Sequence, residues 1–136
     1  MAQASADRTR IVKLGLVVLA LPNLVNGLFA LVAPRSWFDM FSVGDLGGYN
    51  DHLVRDVGEA FIATSFLLLL AAAWMDKRVI YTAIAGWLVF NIPHLVNHIF
   101  ERDDLSVVDY AGVLAILTFN VGLALVLFAL TRRRLP

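Results

Sequence analysis

Phe66-Leu67-Leu68-Leu69-Leu70-Ala71-Ala72-Ala73 runs for more than two helical turns without one polar side chain. A helix of a water-soluble bundle shows polar faces at 3.6-residue spacing. This run has none, and neither does Val113-Leu-Ala-Ile-Leu117. Working outward, four stretches approach or exceed the roughly 20 apolar residues that span a bilayer. They extend from Ile11 to Val32, from about Val54 to Met75, from Val79 to Phe100, and from Val107 to Thr131. The second is the weakest, because Arg55, Asp56 and Glu59 crowd its beginning. The composition agrees: 60% hydrophobic, 16% charged, mean hydropathy +0.75. The expected fold is all-α, one domain over residues 1–136, an integral membrane up-down-up-down four-helix bundle. Its helices cover about 11–32, 52–75, 79–100 and 107–131.

Charge orients this bundle. Lysines and arginines concentrate at the cytoplasmic ends of spans. Eight of the eleven basic residues (Arg8, Arg10, Lys13, Lys77, Arg78, Arg132, Arg133 and Arg134) share one side if both termini are cytoplasmic. Arg35, Arg55 and Arg102 fall on the other. Nine of the eleven acidic residues lie at the outer ends, Asp7 and Asp76 being the exceptions. The net charge of zero therefore hides a polarised molecule. The expected location is the cell membrane, multi-pass, with both termini cytoplasmic. The first apolar run exceeds a signal-peptide h-region of roughly 7–15 residues, and Asn23 and Asn26 sit oddly in one, so it reads as a retained helix.

With no cysteine, the chain has no disulfide, thiolate ligand or thiol redox couple. Its basic residues form short clusters that orient helices, which argues against nucleic acid as a partner. Pro22 suggests a kink in the first helix. Arg35 to Asn50 reads as the longest loop, opening with interface aromatics in Ser36-Trp-Phe-Asp-Met-Phe41 and broken by Gly44, Gly47 and Gly48. Asn50 or Asp51 is the candidate N-cap of the second span. Asp76-Lys-Arg78 is a tight inner turn and Glu101-Arg-Asp-Asp104 a short outer one. Ser106-Val-Val-Asp109 reads as a capping box.

The polar residues concentrate in one layer. His52, Arg55, Asp56 and Glu59 open the second span at i, i+3, i+4 and i+7, offsets that share a helix face. Asn91, His94 and His98 share a face at the end of the third, with Asn97 beside them. The two spans are antiparallel, so both groups lie at one depth, level with Asn26 and Asp109. Asn120 is the main polar exception lower down. Asp51, Asp56 and Asp109 also suit plain capping and dipole roles, and Arg55 suits a pairing with Asp51, Asp56 or Glu59. Glu59 lies two turns in, with Arg55 or a histidine as its expected partner.

Three readings follow for a polar pocket of His52, Arg55, Asp56, Glu59, Asn91, His94 and His98. It could bind a small or amphipathic ligand. It could hold a divalent metal, zinc or iron, on His94, His98 and Glu59, since two imidazoles and a carboxylate leave an open coordination position. Or its residues could only lock helices by hydrogen bonds. Haem would need His52 with His94 or His98 as axial ligands, and His52 is too near the surface. Ala60 with Thr64, and Thr118 with Gly122, are small pairs suited to close helix contact.

The order Ala33-Pro34-Arg35, Asn50-Asp-His-Leu-Val-Arg-Asp-Val-Gly58 and Pro93-His-Leu-Val-Asn-His98 resembles small DoxX-like four-helix membrane proteins of bacteria. That family takes its name from an association with a terminal quinol oxidase. The resemblance implies an accessory role in the respiratory chain or cell envelope, beside another membrane protein, and implies no catalytic residues. The expected function is accessory or ligand-binding rather than enzymatic. A metal-dependent membrane enzyme and a packing-only bundle are the alternatives.

Overall fold

The apolar runs fold into helices that begin and end where the sequence supplies caps. A computed structural model describes residues 2–41, 48–100 and 105–132. It contains α1 (Ala2–Val32), α2 (Pro34–Met40), α3 (Asp51–Trp74), α4 (Lys77–Phe100) and α5 (Val107–Arg132), with no strand among the described residues. Asn50 caps α3 by accepting the Leu53 amide at 3.1 Å. Asp76 opens α4 by accepting the amides of Arg78 at 2.8 Å and Val79 at 3.1 Å. Ser106 opens α5 by accepting the Asp109 amide at 3.2 Å, and its hydroxyl donates to the Asp109 carboxylate at 2.6 Å. Met75, left-handed at φ 51°, ends α3. The expected turn at Glu101–Asp104 lies outside the described residues.

One difference from the sequence reading concerns the first span: α1 begins at Ala2 rather than near Ile11, with Pro22 inside it. Beyond it, Pro34–Met40 is a helix where a loop was expected. Pro34 stands in the first turn, where a fixed φ and a missing N–H do no harm. The Trp37 indole N–H donates to the Asn26 side-chain oxygen at 2.7 Å and folds α2 back onto α1.

Four of these helices, α1, α3, α4 and α5, are long and apolar enough to cross a membrane. Leu14, Val18, Leu21, Val25, Leu28 and Val32 form one exposed apolar stripe along α1. A patch of that kind belongs against lipid. This is a multi-pass helical membrane protein.

Around the bundle α1 neighbours α3 and α5, and α4 neighbours the same two, so α1 and α4 face each other diagonally. The core divides in two. At the end holding the termini and the Met75–Asp76 turn, all four spans contribute: Leu16 and Leu19 pack with Leu68, Ile84, Trp87 and Leu127. At the opposite, loop end the buried cluster is Ala30, Trp37, Val54 and Phe61, from α1, α2 and α3 alone. α5 gives nothing to it. Its buried residues are Ala124, Leu127 and Thr131, all near its C-terminus.

Contact between α1 and α3 is the tightest in the bundle, through Gly27 and Gly58. A β-carbon on Gly27 would stand 2.7 Å from the Gly58 carbonyl oxygen. This contact sets the rotation of α3. Val54, Gly58, Phe61, Ser65 and Leu68 face inward, and His52, Asp56 and Glu59 face outward.

Candidate functional site

The rotation of α3 separates the two polar groups that the sequence places at one depth. Arg55 lies beside the end of α1. Its Nε donates to Asp51 at 2.7 Å, and Nη1 donates to the Leu31 carbonyl, which α1 leaves unpaired at its last turn. Asp51 also accepts the Tyr49 hydroxyl at 2.8 Å. Partial withdrawal from water, and then this bond, hold the Tyr49 phenol above its ordinary pKa. His52 and Asp56 pair at 3.6 Å on the outside, His52 being 89% exposed. Glu59 is exposed too, and no described residue pairs with it. Arg55, its expected partner, is held by Asp51.

α4 behaves as its spacing predicts. Ile84, Trp87 and Asn91 are buried, and His94 and His98 extend that stripe toward the loop end, half-buried. Asn97 beside them is exposed. The rings form a column: Phe61 meets Phe90 edge-on at 5.6 Å, Phe90 stacks on His94 at 5.7 Å, and His94 meets His98 edge-on at 4.8 Å.

Where α5 fails to join the loop-end core, a cavity of about 450 Å³ remains. Such a volume suits a small ligand. Leu19, Pro22, Asn23, Val25, Asn26 and Phe29 of α1 line one wall. Trp87, Phe90, Asn91 and His94 of α4 line the wall across the diagonal, with Phe61 of α3 between. Ile116, Leu117 and Asn120 of α5 close the third side, and Phe41 lies at the loop end.

The walls combine apolar surface with side chains short of partners. The Trp87 indole nitrogen and the Asn23 side-chain nitrogen are buried without a hydrogen-bond partner. Asn26 has its oxygen occupied by Trp37. Asn91 donates its nitrogen to the Trp87 carbonyl at 2.9 Å. Buried polar groups usually have partners; these two nitrogens are sealed behind the wall their residues help to form.

Of the expected pocket residues, Asn91 and His94 line this cavity. His98 touches it only through His94. His52, Arg55, Asp56 and Glu59 do not line it, because α3 turns three of them outward and holds Arg55 against α1. For the same reason the carboxylate of Glu59 does not join the histidine pair. Among the described residues no three His, Cys, Asp or Glu side chains gather in a way that could hold a metal ion. A zinc site needs such convergence at roughly 2.0–2.2 Å.

The sequence does signal Asn23, Asn26 and Asn120, as amides inside apolar runs, without saying that they meet. Trp87, Phe61 and Ile116 carry no signal beyond apolar character.

No family model matches the chain, and no curated protein or solved structure matches it either.

Proposed function

We propose that this protein binds a small amphipathic or apolar molecule in the cavity between α1, α4 and α5. The single observation that carries the reading is a ligand-sized space of about 450 Å³ whose mainly apolar wall also carries Asn23, Asn26, Asn91, His94 and Asn120. A bundle built only to pack would fill such a space. A structural role does suit Asn26, whose bond to Trp37 ties α2 to α1. It leaves the open space unexplained.

In this proposal the chain sits in the cell membrane with both termini cytoplasmic, as the placement of its basic residues supports. The cavity then lies in the outer half of the bilayer. An accessory role beside another membrane protein of the envelope or respiratory chain follows from the DoxX-like resemblance.

Native mass spectrometry of protein released from lipid discs tests the binding reading. The expected result is one apolar molecule retained per chain, and its loss when Leu117→Trp fills the cavity. Equal retention in both proteins, or none in either, counts against it.

A further inference from the structure

We infer that the outward face of α3 around Glu59 is a docking surface for a membrane-spanning helix of another protein, one that carries an arginine or lysine within its span. The inference rests on the membrane-spanning fold and is independent of what the cavity holds.

Two helix contacts fix the depth of Glu59. Gly58 meets Gly27 of α1, and because the helices are antiparallel Glu59 is level with Asn26. Phe61 meets Phe90 of α4 at 5.6 Å, which puts Glu59 level with Ile92. From that level to the loop end both neighbours keep an apolar exterior. α1 exposes Leu28 and, at 77%, Val32; α4 exposes Ile92, Val96, Ile99 and, at 82%, Phe100. The apolar belt therefore continues roughly 9–12 Å beyond Glu59, at 1.5 Å per residue. The length of α3 agrees. If hydrocarbon ended at Glu59, residues 60–74 would cross only about 22 Å of a core roughly 30 Å thick.

A carboxylate at such a depth ordinarily turns into its bundle or pairs there. Glu59 is exposed instead, held outward by the Gly27–Gly58 contact, and no described residue pairs with it. The basic groups nearest the loop end are taken: Arg55 by Asp51 and the Leu31 carbonyl, Arg35 by Asp39 at 2.9 Å, and His52 by Asp56 at 3.6 Å. The face is also shaped for a helix. His52, Asp56, Glu59, Ala63 and Phe66 follow one another at steps of four and three residues, and all are exposed. Ala60 and Ala63 beside Glu59 are small, which lets a second helix come close.

Positive charge is what this face lacks. A cation on the facing helix would form a charge-assisted hydrogen bond with Glu59 in place of a carboxylate left in lipid. A second copy of the chain brings no such cation. Paired on this face across a two-fold axis, it would set Glu59 against Glu59. The remaining described lysines and arginines lie at the end that holds the termini and the Met75–Asp76 turn. The occupant is therefore a different protein.

A dye-labelled leucine–alanine peptide of about 24 residues, with one arginine at its midpoint, is the probe, beside the same peptide with leucine there. Glu59 stands about 5 Å from the middle of α3, within reach of that arginine whichever way the peptide inserts. The protein carries the second dye on Arg78→Cys, the sole thiol of the chain, and association in lipid vesicles is read as energy transfer. The arginine peptide should bind on the order of tenfold more tightly, the weight of one hydrogen bond to a charged group. Glu59→Gln should abolish that preference and leave binding of the leucine peptide unchanged. Ala63→Phe should weaken binding of the arginine peptide by crowding the face, whereas Ala115→Phe, exposed on α5, should not.

Equal binding of the two peptides overturns the inference. So does a preference for arginine that survives Glu59→Gln, or arginine-peptide binding untouched by Ala63→Phe. Energy transfer between two differently labelled copies of the protein, weakened by Glu59→Gln, assigns the face to a second copy and overturns it as well.

Discussion

Gly27 and Gly58 meet so closely that neither has room for a β-carbon. One placed on Gly58 would stand 2.8 Å from the Gly27 carbonyl oxygen and 3.0 Å from the Leu31 amide nitrogen. Those obstacles are backbone atoms, so relief requires the helices themselves to move apart. Small residues allow this approach in membranes, where packing replaces the hydrophobic effect as the force between helices.

Gly58→Ala and Gly27→Ala should each destabilise the bundle by about 1–3 kcal/mol, the usual range for overpacking. Gly86→Ala and Gly112→Ala are the controls. Apart from its chain neighbours and its own helix backbone, a β-carbon at either position would have nothing within 4 Å, and removing a mid-helix glycine is worth roughly 0.5–1 kcal/mol. Thermal unfolding in detergent, followed by circular dichroism, should move down for the first pair and level or up for the second.

Ser65 is fully buried on α3 with its hydroxyl unpaired. Leaving a buried polar group unsatisfied costs about 1–3 kcal/mol. Ser65→Ala should therefore raise the unfolding midpoint. A fall would mean that the hydroxyl has a partner in the membrane.

Arg55→Ala removes the link from α3 to both Asp51 and the last turn of α1. Stability should fall by about 1–3 kcal/mol, chiefly through the orphaned Leu31 carbonyl; the exposed pair with Asp51 adds little. Glu59→Gln, on the outer face, should stay within about 0.5 kcal/mol. If Glu59→Gln proves the costlier change in the same unfolding assay, the outward rotation of α3 is wrong.

His94 and His98 should bind no stoichiometric zinc, because no described carboxylate joins them. Elemental analysis after equilibration with zinc compares the protein with a His94→Ala/His98→Ala variant. Stoichiometric zinc in the first and its loss in the second would restore the metal reading.

Local chemistry made much of this fold legible. Uninterrupted apolar runs gave the four spans, Asn50 and Ser106 marked helix starts, and i, i+3, i+7 spacing put Asn91, His94 and His98 on one face. Helix rotation was another matter. The same spacing puts His52, Asp56 and Glu59 on one face of α3, but nothing local says which way that face turns. That depends on Gly58 meeting a glycine 31 positions earlier. Of the small pairs singled out in sequence, Ala60 and Thr64 are joined within their own helix, the Thr64 hydroxyl donating to the Ala60 carbonyl at 2.9 Å. α2 was missed because seven residues are too few to show a helical period, and its aromatics suit an interface loop equally well. Asn23, Asn26 and Asn120 stood out as polar, yet their convergence needs the diagonal placement of α1 and α4.

α5 supplies one wall of the cavity and leaves the ribosome after α1, α3 and α4. Synthesis runs from the N-terminus and earlier parts fold first. α1, α3 and α4 can settle against one another, Gly27 on Gly58 and Trp87 inward, before Ile116, Leu117 and Asn120 exist as polypeptide. The cavity therefore gains its third wall only after the other three spans have been made. A nascent protein halted after α4 would present Asn23 and Trp87 to open lipid.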